Sequence, residues 1–434
     1  MAYIIKTALN VSYEMFDIPR RDRTVDQIKS LNQEWIQAVK EGPLDEGIDC
    51  LHAPYDHEQL AFIKHKAHYY LAKKNIHTVF VIGIGGSHLS IQAVEQFLRG
   101  TLPLRQSPAF FYIDTVDADQ LYEIQLHVQG LIQKNLHFVC LIISKSGCTF
   151  ETVINATIFF QAFNLSMIKE HTICITEKYS PLEQWARENL IEVLYIPEEV
   201  GGRFSIFTVV GLFPLALAGI DIEALCQGAR GYDVVTDHAG KRALYLYHAI
   251  KKKIPIHDLF IFSPDAHALG LWYRQLMAET LGKDEDRFGN RKINGIMPTI
   301  SIGTSDLHSV GQLYLAGPRT RITTFLTVQT TQDIPIQTNG LWAGHEYEFK
   351  NFTAYDVMRI ASIATMETYK KEKKHFMHIH IPQKNAYFVG QYMFMSLLEI
   401  LYTAQLLEIN PYDQPAVEKF KSEIKQQMHK FAKK

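Results

Sequence analysis

Cysteine is scarce in this 434-residue chain, with five residues (Cys50, Cys140, Cys148, Cys174 and Cys226) and no CxxC pair. An odd, scattered set argues against a disulfide frame and suits free thiols in a reducing cytosol. Charge of one sign is also lacking. Lys and Arg total 44 against 46 Asp and Glu, a net −2, so nothing points to nucleic acid or to an anionic membrane surface. No stretch reaches the roughly 18 uninterrupted apolar residues of a membrane span. The opening "MAYIIKTALNVSYEMFDIPRRDR" lacks a continuous apolar core, so no secretory signal is expected and the expected location is cytoplasmic. Short-period repeats and low-complexity tracts are absent.

What is there is an ordinary globular composition on a chain too long for one typical core, so two domains are expected. Residues 1–45 read as an extended arm with one helix around "VDQIKSLNQEWIQAV". Residues 46–220 alternate apolar runs with helical patterns: "TVFVIGI" (78–84), "AFFYID" (109–114), "FVCLIIS" (138–144), "TICIT" (172–176) and "VLYI" (193–196). The pattern restarts over 221–434 with "DLFIFSP" (258–264), "PTISIGT" (298–304), "ITTFLTV" (322–328) and "HFMHIHIP" (375–382). Long helical patterns cover roughly 266–282, 355–371 and 386–407, and Asn410-Pro411 breaks the chain before a last helix near 414–432. Apolar strands separated by helices predict two doubly wound, mainly parallel α/β domains. Ligands of such folds sit beyond the carboxyl ends of the strands.

Two stretches fall at that edge of the first sheet. "ISKSGCTFET" (143–152) puts Ser144, Lys145, Ser146, Gly147, Cys148 and Thr149 between a buried strand and a helix. Hydroxyls, unpaired N–H groups and a helix N-terminus together suit an anion. The plainer alternative is a helix cap, which Ser and Thr favour. It is not a Walker A loop. "GIGGSHLS" (83–90) is Gly-x-Gly-Gly, not Gly-x-Gly-x-x-Gly, and Asp114 closes the next strand at a poor offset for a ribose contact. A backbone cradle for a small polar ligand fits it better than NAD, with Ser87 or a neighbour capping the helix and His88 directed into its first turn.

Six motifs then occur in one order: "VIGIGGSHLS", "ISKSGCTFET", "GGRFSIFTVVGLFPLALAGI", "YRQLMAETLGK", "GTSDLHSVGQ" and "NPYDQPAVEKFK". Through them most of the chain resembles the glucose-6-phosphate isomerase family, of the two-domain sugar-isomerase (SIS) fold. The resemblance implies an aldose–ketose isomerase of glycolysis and gluconeogenesis, without cofactor or metal, acting through an enediol(ate). It implies Glu279 as the proton-transfer base and Gln275, one helical turn earlier, as a substrate contact. Arg203 would stabilise the developing charge, since its planar guanidinium stays ionised. His308 and Lys421 match the residues that open the sugar ring. Ser144, Ser146 and Thr149, with Lys145 in the same loop, match the phosphate grip. Gly86, Ser87 and Gly202 fall at sugar-contacting positions, and Glu151 at a supporting one. The matching histidine reaches its site from the neighbouring subunit, which implies a homodimer with shared active sites. The chain departs from the pattern at Cys148, where bacterial relatives usually carry Thr.

"HFMHIH" raises a competing reading, because His378 and His380 share a face of a strand as a metal pair would, with His375 nearby. No carboxylate or cysteine in that stretch completes a site, and an edge strand is the expectation. The rival functions are an isomerase that also takes mannose 6-phosphate and a catalytically silent sugar-phosphate sensor. A sensor has no reason to keep Glu279, His308 and Lys421 together.

Overall fold

The computed structural model describes residues 9–14, 23–41, 49–102, 107–290, 295–337 and 351–431. An opening strand, β1 (Asn10–Glu14), and the helix Arg23–Glu41 precede the first sheet. That sheet comprises β2 (Thr78–Ile82), β3 (Ala109–Ile113), β4 (Phe138–Ile143), β5 (Thr172–Thr176) and β6 (Glu192–Tyr195). They lie in the order β3-β2-β4-β5-β6, with every pair parallel. The inner strands β2, β4 and β5 are buried at every residue, whereas β3 and β6 at the edges are partly open. Burial on both faces explains why the inner strands read as unbroken apolar runs.

The second sheet joins β7 (Ile256–Phe262), β8 (Met297–Ile302), β9 (Arg321–Val328) and β10 (Phe376–Ile381) to β1, in the order β1-β10-β9-β7-β8. Four strands are parallel, and β1 alone runs antiparallel, along β10. The nine strands expected from the sequence therefore all form, within two residues of their expected bounds. The tenth, β1, falls in the arm expected to be merely extended. It also corrects the reading of "HFMHIH": β10 is an inner strand, because Asn10–Glu14 pairs with its open side. His378 Nε2 and His380 Nδ1 both face the Thr327 hydroxyl, at 2.7 and 2.9 Å. Burial, then the neighbouring His380, pushes His378 down to about 4, so its ring is neutral near pH 7. Among the described residues no three His, Cys, Asp or Glu side chains converge as a metal would require.

Helix starts follow local chemistry. Asp117, Asn164, Ser180, Asp221 and Asn385 each cap a helix through the side chain, and Thr353 with Asp356 forms a capping box. Helix Ala386–Leu406 is buried along almost its whole length and packs on Ile222–Ala229, Tyr232–Lys251 and His267–Leu281. No described helix is long and apolar enough to cross a membrane.

One ion pair lies in this helical core. Arg242 and Glu399 are in contact and completely buried, and Tyr273 donates to the Glu399 carboxylate at 3.0 Å. Burial works against the Arg242 charge, but Glu399 beside it holds the guanidinium protonated. Removing one partner of such a pair costs about 3–5 kcal/mol, because the other charge stays buried alone. Glu399→Leu should therefore lower the urea-unfolding stability by about that amount. The double change Arg242→Met with Glu399→Leu should recover most of it. Equal loss in the single and double variants would show that packing rather than charge governs this core.

Candidate functional site

In the first sheet β3 lies on one side of β2 and β4 on the other, so the chain reverses direction between β2 and β4. A crevice opens at such a point, beyond the carboxyl ends of the two strands. The loops after those strands are the two stretches singled out in the sequence.

The loop after β4 is compact. Ser144 is buried, and its hydroxyl lies 3.0 Å from that of Thr149. Gly147 takes φ +67°, and its N–H donates to the Ser144 carbonyl at 3.2 Å. A Cβ there would come within 2.9 Å of Ser180, so only glycine fits the turn without strain. Thr149 precedes helix Phe150–Phe160 but makes no side-chain cap bond, which leaves its hydroxyl to Ser144 and the crevice. Ser146 and Cys148 are exposed at the rim, and Glu151 is half-buried in the first helical turn. Lys145 is engaged elsewhere: its ammonium contacts the Glu177 carboxylate at 3.1 Å and the Glu198 carbonyl at 2.6 Å.

The loop after β2 forms a short 3₁₀ turn, Gly85–Ser87, before helix Leu89–Arg99. Gly86 permits a close crossing with a second glycine loop, since a Cβ on it would stand 2.2 Å from the Gly202 carbonyl group. Gly202 opens the turn Gly202–Phe207, which carries Arg203. The Gln275 amide lies against Gly85 from helix His267–Leu281. Ser87 does not cap its helix. His88 occupies the cap position without a side-chain cap bond, and its imidazole turns to Asp114, 3.2 Å away at the end of β3, instead of into the first helical turn. That pairing holds the Asp114 carboxyl below its usual range.

Arg203, Gln275 and Glu279 come together next to the Gly85–Ser87 turn. The Arg203 side chain is 1% exposed and Glu279 29%, so the carboxylate opens to the crevice while the guanidinium lies beneath it. Arg203 Nη1 donates to Glu279 Oε2 at 3.4 Å, and Gln275 Nε2 to Glu279 Oε1 at 2.9 Å. Arg203 Nε donates to the Thr280 hydroxyl at 2.9 Å, and Nη2 to the Pro411 carbonyl. Burial lowers the Arg203 pKa, and Glu279 and then Asp413 oppose that fall.

His308 is not brought to this cluster. It is exposed on helix Ser305–Ser309, just past the carboxyl end of β8. Glu279 lies near the far end of the 15-residue helix that runs back between β7 and β8. That helix is about 22 Å long, so the two residues stand at opposite ends of one β-α-β unit. Lys421 is exposed on helix Pro415–Phe431, which begins just after the Pro411 contact. Thr280, Lys283 and the Pro411 carbonyl were not singled out in the sequence. "ETLGK" put Thr280 and Lys283 close to Glu279, but nothing local revealed a partner 130 residues away.

Two mainly parallel sheets, a hydroxyl-lined turn at a strand crossover and a carboxylate–guanidinium pair next to the neighbouring glycine turn define the class: a doubly wound α/β protein with a polar crevice at the switch point of its first sheet. Residues 63–433 match the family described as phosphoglucose isomerase. The chain belongs to that family. It is 29% identical over 397 residues to glucose-6-phosphate isomerase of Clostridium novyi, covering 85% of this chain and 83% of the relative. It is 32% identical over 399 residues to the Fusobacterium nucleatum enzyme of the same name, at 85% and 83% coverage. A solved hypothetical protein of Thermus thermophilus superimposes with TM-score 0.82 at 25% identity, covering 96% of this chain and all of that one. A glucose-6-phosphate isomerase structure from Chlamydia trachomatis gives TM-score 0.78 at 18% identity, with 98% and 89% coverage, a likeness of fold.

Cys148 offers a reporter for the loop. It is the exposed cysteine of the five, and burial pushes the thiols of Cys50, Cys174 and Cys226 up to about 12. A maleimide should modify Cys148 first, and millimolar inorganic phosphate should slow that reaction. An unchanged rate, followed by peptide mass spectrometry, would remove the loop from the anion site.

Proposed function

We propose that this chain interconverts glucose 6-phosphate and fructose 6-phosphate. The observation that carries the reading is the accessible Glu279 carboxylate, held by Arg203 and Gln275 next to the Gly85–Ser87 turn, with the Ser144–Thr149 hydroxyl pair at the end of the adjacent strand. The Ser144, Ser146 and Thr149 hydroxyls hold the phosphate, with Lys145 released from Glu177 and the Glu198 carbonyl to join them. Gly86, Ser87, Gly202 and Gln275 line the sugar, and Glu151 supports the loop by hydrogen bonding. His308 and Lys421 open the ring. Glu279 then takes the C2 proton of the open aldose, the electron pair forms the C1–C2 double bond, and charge gathers on O1 within reach of Arg203. The carboxyl then gives that proton to C1 while the O2–H proton passes to O1, leaving a C2 carbonyl and a C1 hydroxyl, the ketose. No cofactor enters this sequence.

Arg203 suits its role because it is already desolvated and oriented before the charge develops. The separation of His308 from Glu279 supports a homodimer in which His308 completes the partner's site. Free cysteines suit a cytoplasmic location. The domain division proposed is an arm over 1–45 and units over 46–220 and 221–434, since each of the two larger segments supplies its own run of parallel strands.

A coupled assay for fructose 6-phosphate conversion tests the activity directly. Glu279→Gln should lower isomerisation by about 10²–10⁴-fold, because the amide cannot accept the C2 proton. The variant, incubated with C2-deuterated glucose 6-phosphate in ordinary water, should retain its deuterium while the anomers still interconvert. Deuterium loss at the wild-type rate would show that Glu279 is not the base.

The shared site has its own test. His308→Ala and Glu279→Gln chains, each inactive alone, should regain part of the activity after subunit exchange. One site of the mixed dimer then carries both lesions and the other neither. No recovery despite proven exchange would mean that each site is built within one chain.

A further inference from the structure

Helix Pro415–Phe431 is exposed at nearly every described position, including the large side chains Phe420 and Phe431. The segment just before it is tied to the body. Arg203 Nη2 donates to the Pro411 carbonyl, and Tyr412 sets its ring edge-on against Phe204 at 6.0 Å. A second cation grips the same segment. Lys283, two residues beyond the end of the Glu279 helix, donates to the Asn410 carbonyl and contacts the Asp413 carboxylate at 2.9 Å. Its ammonium also leans on the Thr280 carbonyl at 3.5 Å, near the negative end of that helix. Lys283 is 13% exposed. Burial lowers its pKa, Asp413 opposes that shift, and the nearby Arg203 charge adds to it. Two cations thus grip one short segment, Arg203 through the Pro411 carbonyl and Lys283 through the Asn410 carbonyl and the Asp413 carboxylate.

We propose that Lys283 is a positioning residue for the isomerase reaction. By fixing Asn410 and Asp413 it sets the Pro411 carbonyl, which aims the Arg203 guanidinium at Glu279. Lys283 does not touch the reacting carbons in this arrangement. It acts through the segment 410–413, and through it on the helix that carries Lys421. The inference rests on the isomerase reading for its kinetic consequence but not for its structural one.

Methionine keeps the aliphatic stem of Lys283 and removes the charge, so Lys283→Met isolates the clasp. Loss of one or two charge-assisted hydrogen bonds should raise hydrogen exchange across 408–414 by about ten- to a hundredfold. Exchange in β2, β4 and β5 should not change. The value of kcat should fall by about the same factor, with KM nearly unchanged, because Arg203 acts on the charge of the transition state. Lys283→Arg, which can renew both bonds, should recover part of the rate and of the protection. Asp413→Ala, at a half-exposed position, should give the same signature more weakly and provides the test should Lys283→Met fail to fold.

Unchanged exchange across 408–414 in both Lys283→Met and Asp413→Ala would overturn the clasp. Loosening of the whole chain, with the melting temperature and kcat falling together and no recovery by arginine, would make Lys283 merely structural and overturn the positioning role. A wild-type chain without isomerase activity would overturn the functional reading, and the exchange contrast would still decide whether Lys283 holds the segment.

Discussion

The arrangement of this crevice depends on one buried guanidinium. Arg203 is almost wholly removed from water, and a charge so placed is tolerated only where its donors are taken up. They are taken up by two distant segments, Thr280 and Glu279 on the helix after β7 and the Pro411 carbonyl before the last helix, while the ring of the adjacent Phe204 lies 4.9 Å from the charge. Each bond is thereby also a tie between distant parts of the chain. Glu279 lies in the last turn of its helix, where the helix dipole disfavours an anion. Arg203 offsets that penalty, so the carboxylate can remain in place while part of it faces the crevice.

The neighbouring loops follow from sheet topology. Because β3 and β4 lie on opposite sides of β2, the turns that leave β2 and β4 diverge and open a gap between them. Ser144 to Thr149 fill one wall with hydroxyls and the Gly85–Ser87 turn forms the other. Gly86 lets that wall touch the Arg203 loop directly, at a separation no side chain would tolerate. The Gly85–Ser87 turn therefore meets the loop that carries Arg203 on one side and leaves β2 next to the strand that ends in the Ser144–Thr149 turn on the other.

Much of this was legible in the sequence because it is local. Runs buried on both faces announced β2, β4 and β5, and the glycines and hydroxyls announced the turns between strand and helix. Glu279 and Gln275 stood out through helical spacing within a motif. What stayed hidden depends on pairing over long distances. Nothing in "NVSYE" says that it will lie against residues 376–380, so β10 read as an edge. His88 finds Asp114 on the next strand, and Lys145 finds Glu177 and Glu198, by juxtapositions that only the folded sheet creates. Lys283 is of the same kind, since its partners are contributed by residues 410 and 413.

Among the described residues two Arg–Glu pairs have buried guanidinium groups, and their difference separates structure from chemistry. Arg242 and Glu399 are both without solvent contact, and Tyr273 takes part of what the carboxylate can accept. No substrate reaches that pair, and its work is to hold three helices in register. In the second pair only the arginine is buried, and Glu279 keeps nearly a third of its side chain open. Its two oxygens receive one donor each, from Gln275 and Arg203, which fixes the orientation and leaves lone pairs free. The proton-transfer role proposed for Glu279 requires that combination of fixed direction and unfilled acceptor capacity. Both pairs look alike in sequence, as charged residues on or beside apolar helices. Only the folded packing makes one a strut and leaves the other open to a ligand.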